Sequence, residues 1–292
     1  MAVCASGKGK DTPSQQIDLT AIYCRYLCPA PPGEFIKEDF LRFWSDTSNW
    51  PENRLPAAGE NVTIEGPWTM IMDVDPAPIE YLLIEGDLAI PSNRATANLI
   101  VDSMWIRSGS LKAGNSSTPF TGDLTIQING NKNDPGYVFT PEVVGNKQVL
   151  VTGDLHLYGV APSTTWTRLK SFANQGDTSI VVDSVNGWNV GDQIVLGPSF
   201  NSASEHELVT IQSISSKTVT FTPALQYNHY GDSSVTINNT FGILDTRTAV
   251  GHITRNIKFV AGPDNGWGYT ILGYGYSQND ILRTGNIILS GV

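Results

Sequence analysis

Two carboxylates two residues apart, Asp73 and Asp75, come nearest to a reactive pair in this 292-residue chain. On an extended strand, residues i and i+2 share a face. Both could then flank a glycosidic bond or offer hard oxygen ligands to Ca2+. Pro76 follows at once, which equally fits a strand end where the carboxylates cap a turn. The four histidines, at 156, 206, 229 and 252, lack the close pairing of a metal site. His156 sits between Leu155 and Leu157 and should point away from the core if the strand alternates. His252 fits a satisfied polar group at a corner of the chain. With no nucleophile elbow and no phosphate-cradling loop, no catalytic constellation is visible. The only cofactor to weigh is Ca2+ at Asp73 and Asp75.

Aromatic residues are the better lead for binding. Trp267, Tyr269, Tyr274 and Tyr276 lie in a glycine-aromatic run, Gly266 to Tyr276. Exposed rings beside small residues make flat platforms for sugar faces, although ordinary stacking along a β-rich core reads the same way. Three N-glycosylation sequons begin at Asn61, Asn115 and Asn238. An Asn-, Ser- and Thr-rich composition produces that many by chance; Asn115, in an expected surface loop, is the most favourable acceptor.

The elements that position these residues are strands. Charged residues make up only 16% of the chain and glycines number 28, and valine, isoleucine and threonine recur without long helix-forming stretches. Short apolar runs alternate with Gly, Pro, Asn and Asp from residue 60 onward, each too short to stand alone. Gly86-Asp-Leu88, Gly109-Ser-Leu111, Gly122-Asp-Leu124 and Gly153-Asp-Leu155 repeat one pattern. Gly86 and Gly109 are 23 residues apart, and Gly153 lies about twice that distance beyond Gly109. This period predicts an all-β, right-handed parallel β-helix, with Leu88, Leu111 and Leu155 in an inward ladder and the glycines at corners with positive φ. A β-sandwich with glycine turns is the plainer alternative. Phe35, Ile36, Phe40, Leu41 and Phe43 predict an amphipathic helix over Glu34–Trp44 that would cap the open end of the stack.

The net charge of −10 argues against nucleic acid and anionic lipid, and slows polyanionic sugars. No apolar run is long enough to span a bilayer. Cys4, Cys24 and Cys28 crowd the first tenth of the chain without a redox or zinc spacing. They fit a disulfide in the tail of a preceding module or inert thiols. The abrupt ends read as a piece of a longer protein, with signal and anchor elsewhere.

The order of landmarks resembles a known family. Phe43-Trp-Ser-Asp-Thr-Ser-Asn-Trp-Pro51, Leu55 to Ile64, Tyr81 to Leu88, Ile106 to Leu111, Pro119 to Gly122, Leu155 to Gly159 and Trp166 to Leu169 are similar to the G-eight (eight-glycine) domain. That domain occurs in fibrocystin, fibrocystin-like proteins and the cell-migration-inducing hyaluronan-binding protein. The likeness continues at Gly187 to Val195 and Thr248 to Ile257. It implies a linker and capping segment over 1–46, the domain over 47–171, a β-rich extension over 172–241 and the start of further repeats over 242–292. It also implies an extracellular or membrane-anchored protein whose partners are glycans or surface proteins. The α/β insert of the hyaluronan-degrading relatives is absent between Leu169 and Trp188. The resemblance therefore favours a non-enzymatic binding or adhesion module. A polysaccharide-degrading enzyme and a structural spacer are the alternatives.

Overall fold

The computed structural model describes residues 41–131, 137–139, 142–144, 146–199, 202–231, 235–236, 243–262, 268–278 and 281–292. The three cysteines, the linker over 1–32, residues 34–40 of the expected helix, Trp267 and Asn238 lie outside them. The chain is all-β. Its contacts divide it into two units, residues 1–159 with 257–290 and 292, and residues 160–256 with 291.

Parallel pairing organises the first unit. One sheet runs in the order Leu41–Phe43, Thr69–Ile71, Asp87–Ile90, Ser110–Ala113, Asp154–Tyr158 and Asn286–Ser290. Another runs Asn61–Ile64, Ile79–Ile84, Thr96–Ile106, Gln148–Val151 and Thr270–Gly273, with Asp123–Ile128 and Ile257–Ala261 branching from it. Met70, Leu88, Leu111, Leu155 and Ile287 are successive register partners. The leucine ladder is therefore present, and Met70, Leu88, Leu111 and Leu155 are fully buried. Alternation puts His156 outward, as expected, where its Nε2 lies 2.8 Å from Asn286 Nδ2. The fourth repeat departs from the column: Leu124 pairs with Ala97 in the other sheet.

The glycines of the repeat are needed for a different reason from the one the sequence indicated. Gly86, Gly109 and Gly153 do not have positive φ. They stack backbone to backbone, so a Cβ on Gly109 would fall on the Gly86 carbonyl oxygen and one on Gly153 on that of Gly109. Close approach of successive chain passes excludes a side chain.

A single right-handed parallel β-helix is not what the chain forms. The second unit is a six-stranded sheet, Trp166–Arg168, Ala249–His252, Gln193–Leu196, Glu207–Ser215, Thr218–Thr222 and Ser179–Val181, antiparallel at every pairing. Ser216 and Lys217 alone join two of its strands, with Ser216 at φ 57°. A two-residue link can connect only antiparallel neighbours. Ile180, Val182, Ile194, Val209, Ile211, Phe221 and Val250 form its separate core. The first unit also contains an antiparallel pair, Gly275–Gln278 with Ile281–Thr284.

The expected N-terminal helix is corrected where it can be seen. Leu41–Phe43 is a strand, parallel to Thr69–Ile71. Pairing satisfies backbone groups that a short isolated helix leaves open at both ends, and it delivers Trp44 to the core, 1% exposed.

Candidate functional site

Asp73 and Asp75 follow the strand Thr69–Ile71 and are held by different neighbours. Asp73 accepts from the Ser45 amide at 3.0 Å and the Ser45 hydroxyl at 2.5 Å. Asp75 accepts from Arg94 Nη2 at 2.6 Å and from the Asn98 amide and side chain at 2.9 and 2.8 Å. Partial burial works to raise both carboxyl pKa values, yet the donors outweigh it and both lie below the usual carboxylate range. Each carboxylate ties one stretch of backbone to another, as turn-capping groups do. Among the described residues, no group of three His, Cys, Asp or Glu could hold a metal.

The histidines are equally engaged. His229 is completely buried, with Nδ1 2.9 Å from the Gly197 carbonyl and Nε2 2.9 Å from Glu207 Oε1. Glu207 also accepts the Gln226 and Tyr227 amides at 2.6 and 3.0 Å. His252 does not occupy a chain corner; it ends the strand Ala249–His252. Its Nδ1 lies 3.1 Å from the Arg255 guanidinium, which can only donate. Nε2 therefore carries the ring proton and donates to Asp192 at 2.8 Å. Both ring nitrogens are occupied, so the Asp–His pair has no free nitrogen for a nucleophile's proton.

The aromatic candidates separate. The ring of Tyr269 packs against Phe259, centroids 6.2 Å apart, and its hydroxyl donates to the Phe259 carbonyl at 3.2 Å. Tyr274 is 45% exposed. Trp267 and the Tyr276 side chain lie outside the described residues. Asn61 opens the strand Asn61–Ile64, with its side chain exposed. Asn115 is exposed in a loop, its Oδ1 accepting the Ser117 and Thr118 amides at 2.9 and 2.8 Å.

A cleft of about 490 Å3 in the first unit brings together residues of which the sequence singled out only Asn61, as a sequon. Short 3-10 turns, Thr47–Asn49 and Pro51–Asn53, fold the segment after Trp44 back onto the sheet. Trp50, only 6% exposed, packs against Trp44 at 4.7 Å between centroids, and its Nε1 donates to the Trp44 carbonyl. Trp68, half-buried, meets Trp50 edge-on at 6.2 Å, and the Arg42 guanidinium lies 4.8 Å from its ring centroid. Arg54, Glu60, Asn61, Thr63 and Glu65 also line the cleft. Asn61 and Thr63 alternate with buried Val62 and Ile64, so the strand turns its polar side to the cleft.

Arg54 and Glu60 form a forked pair, Nη1–Oε2 2.9 Å and Nη2–Oε1 2.6 Å, and Glu52 takes the remaining Nε at 3.0 Å. The Arg54 fork, seconded by the Ala57 amide, holds the Glu60 pKa down at about 2. Glu52 and Asn53 both adopt positive φ, 62° and 51°, which non-glycine residues seldom do. Indole surface beside one forked carboxylate and alternating polar side chains offers both apolar contact and hydrogen-bond partners.

Residues 49–170 match the family model of the G8 domain. The chain carries a G8 domain. The resemblance read in the sequence is thereby shown over residues 49–170. Human fibrocystin-L is 31% identical over 236 residues, covering 78% of this chain and 5% of that protein. Dog fibrocystin is 28% identical over 202 residues, covering 68% and 5%. Protein rliB of Dictyostelium discoideum is 27% identical over 201 residues, covering 65% and 18%. The chain thus spans about 5% of the length of its fibrocystin relatives. The Trp50–Trp68 cleft lies within the G8 domain; Asp192 and His252 lie beyond it. Among the described residues no helix is long and apolar enough to cross a membrane.

Proposed function

We propose that this chain is a non-enzymatic ligand-binding module of an extracellular or cell-surface protein, with glycans as its ligand class. The cleft lined by Trp50 and Trp68 carries the binding half of the reading. A sugar ring has an apolar C–H face and a rim of hydroxyls; indoles suit the first and carboxylates and amides the second. The extracellular half leans on the G8 domain and on the likeness to fibrocystin and fibrocystin-L.

Polysaccharide degradation through Asp73 and Asp75 is the weaker reading. Glycoside hydrolysis needs one carboxyl group free to donate a proton and another free to act as nucleophile or base. Here Ser45 occupies one carboxylate, and Arg94 with Asn98 occupies the other.

A glycan array probed with the purified chain tests the proposal, alongside Trp68→Ala. Binding to a defined set of glycans, lost in Trp68→Ala with the circular-dichroism spectrum retained, is the expected result. Depolymerisation of a bound polysaccharide, followed by size-exclusion chromatography, would refute the non-enzymatic half. Absence of binding to every glycan leaves the structural spacer as the better description.

A further inference from the structure

We infer that the Trp50–Trp68 cleft takes uncharged saccharides, hexose or N-acetylhexosamine oligomers, and rejects uronate-containing and sulfated ones. The inference rests on the reading of the cleft as a glycan site and goes further by fixing the charge of the ligand. Glu52, Glu60 and Glu65 line the cleft against one guanidinium, that of Arg54. Arg54 is already committed, forked to Glu60 and bonded to Glu52. An incoming carboxylate or sulfate that forked Arg54 as Glu60 does would have to displace Glu60, leaving that carboxylate beside a second anion. Glu65 adds a further exposed negative charge, with no ion pair among the described residues. Arg42, over Trp68 and donating to Asn49 Oδ1 at 2.9 Å, is not among the residues that line the cleft. The chain's net charge of −10 opposes polyanions at longer range.

Hydrogen-bond chemistry points the same way. Carboxylates only accept, so Glu52, Glu60 and Glu65 call for a donor-rich ligand. Sugar hydroxyls are donors; uronate and sulfate oxygens are further acceptors. The Asn61 amide and Thr63 hydroxyl can answer either role, which fits a ring carrying several hydroxyls. The half-buried Trp68 indole supplies an apolar surface for the C–H face of a sugar ring.

Isothermal titration with chitohexaose, cellohexaose and a hyaluronan hexasaccharide distinguishes the possibilities. At least one neutral oligomer should bind at least tenfold more tightly than the hyaluronan fragment. Its affinity should change less than twofold between about 0.05 and 0.5 M NaCl, because screening has little to act on. Glu65→Lys, at an exposed position where folding is not at stake, should narrow the gap by raising affinity for the anionic oligomer relative to the neutral one. Preference for the hyaluronan hexasaccharide in the unmodified chain, or a Glu65→Lys variant with the selectivity of the parent, overturns the inference and leaves glycan binding intact. If no saccharide of any charge binds, both this inference and the reading beneath it fall.

Discussion

Leu111→Ala tests the packing that holds the first unit together. Leu111 is fully buried and stands in register between Leu88 and Leu155. The substitution removes about three carbon groups, roughly 2.4 kcal/mol at about 0.8 kcal/mol per buried methylene. A cavity term is added because the surroundings relax only in part. Here relaxation is restricted: Leu111 sits on a strand hydrogen-bonded to a neighbour on each side, and Gly109 just before it is locked against Gly86 and Gly153. The total should fall at about 3–4 kcal/mol, within the range of about 2–5 kcal/mol for buried leucines. At roughly 2–4 °C per kcal/mol for a unit of this size, the thermal midpoint should drop by about 6–16 °C. Because the contacts divide the chain into two units, a single unfolding curve is ambiguous. Hydrogen exchange read by mass spectrometry, peptide by peptide, assigns the loss. Protection should fall across residues 82–157 and be retained across 180–221. A loss below about 0.5 kcal/mol, or one confined to 180–221, would remove Leu111 from the column and refute the packing argument.

Further substitutions probe separate links. Gly109→Ala should unfold or severely destabilise the first unit, since its Cβ meets backbone rather than a movable side chain; Gly176→Ala, with open space but φ 90°, should cost only about 1 kcal/mol, and equal effects in urea denaturation would contradict the stacking explanation. Glu207→Ala strands the His229 ring and the Gln226 and Tyr227 amides, so chemical denaturation should show a loss of about 2–4 kcal/mol confined to the second unit. The pH response of the cleft follows from a carboxyl group whose folded pKa is depressed: the Glu60–Arg54 contribution is complete above the ordinary value of 4.5 and disappears as pH falls toward about 2. A carbon-13 titration of the Glu60 carboxyl should give a midpoint near 2, moving up toward 4.5 in Arg54→Gln; an unshifted midpoint in the parent chain would break the forked pair.

What the sequence made legible is what repeats. The Gly-x-Leu spacing located the buried column at Leu88, Leu111 and Leu155, because each pass of chain brings the same residue types to the same register. The same spacing obscured two things. It linked the glycines to positive φ, whereas Gly86, Gly109 and Gly153 are small because backbones touch there. It was also carried past Gly153, although no glycine repeat supports it over 160–256 and the Ser216–Lys217 link between alternating Val219/Phe221 and Val209/Ile211 marks a hairpin. The cleft was harder to see. Trp50, Arg54, Glu60 and Trp68 show no period, and two short turns with left-handed residues at Glu52 and Asn53 bring them together. Asn61 and Thr63 were the available signal, since they present polar groups outward two residues apart beside a tryptophan-rich stretch. Glycine-aromatic composition drew attention instead to Tyr269, whose ring packs on Phe259.

Glycan recognition by the cleft can be located directly with the indole N–H signals of the seven tryptophans in a nitrogen-15 spectrum. Titrating a neutral oligosaccharide should move the Trp50 and Trp68 indole resonances together and saturably, while Trp166, 60% exposed, and buried Trp188 hold their positions. A saturable shift at Trp166 with Trp50 and Trp68 unmoved would contradict the account.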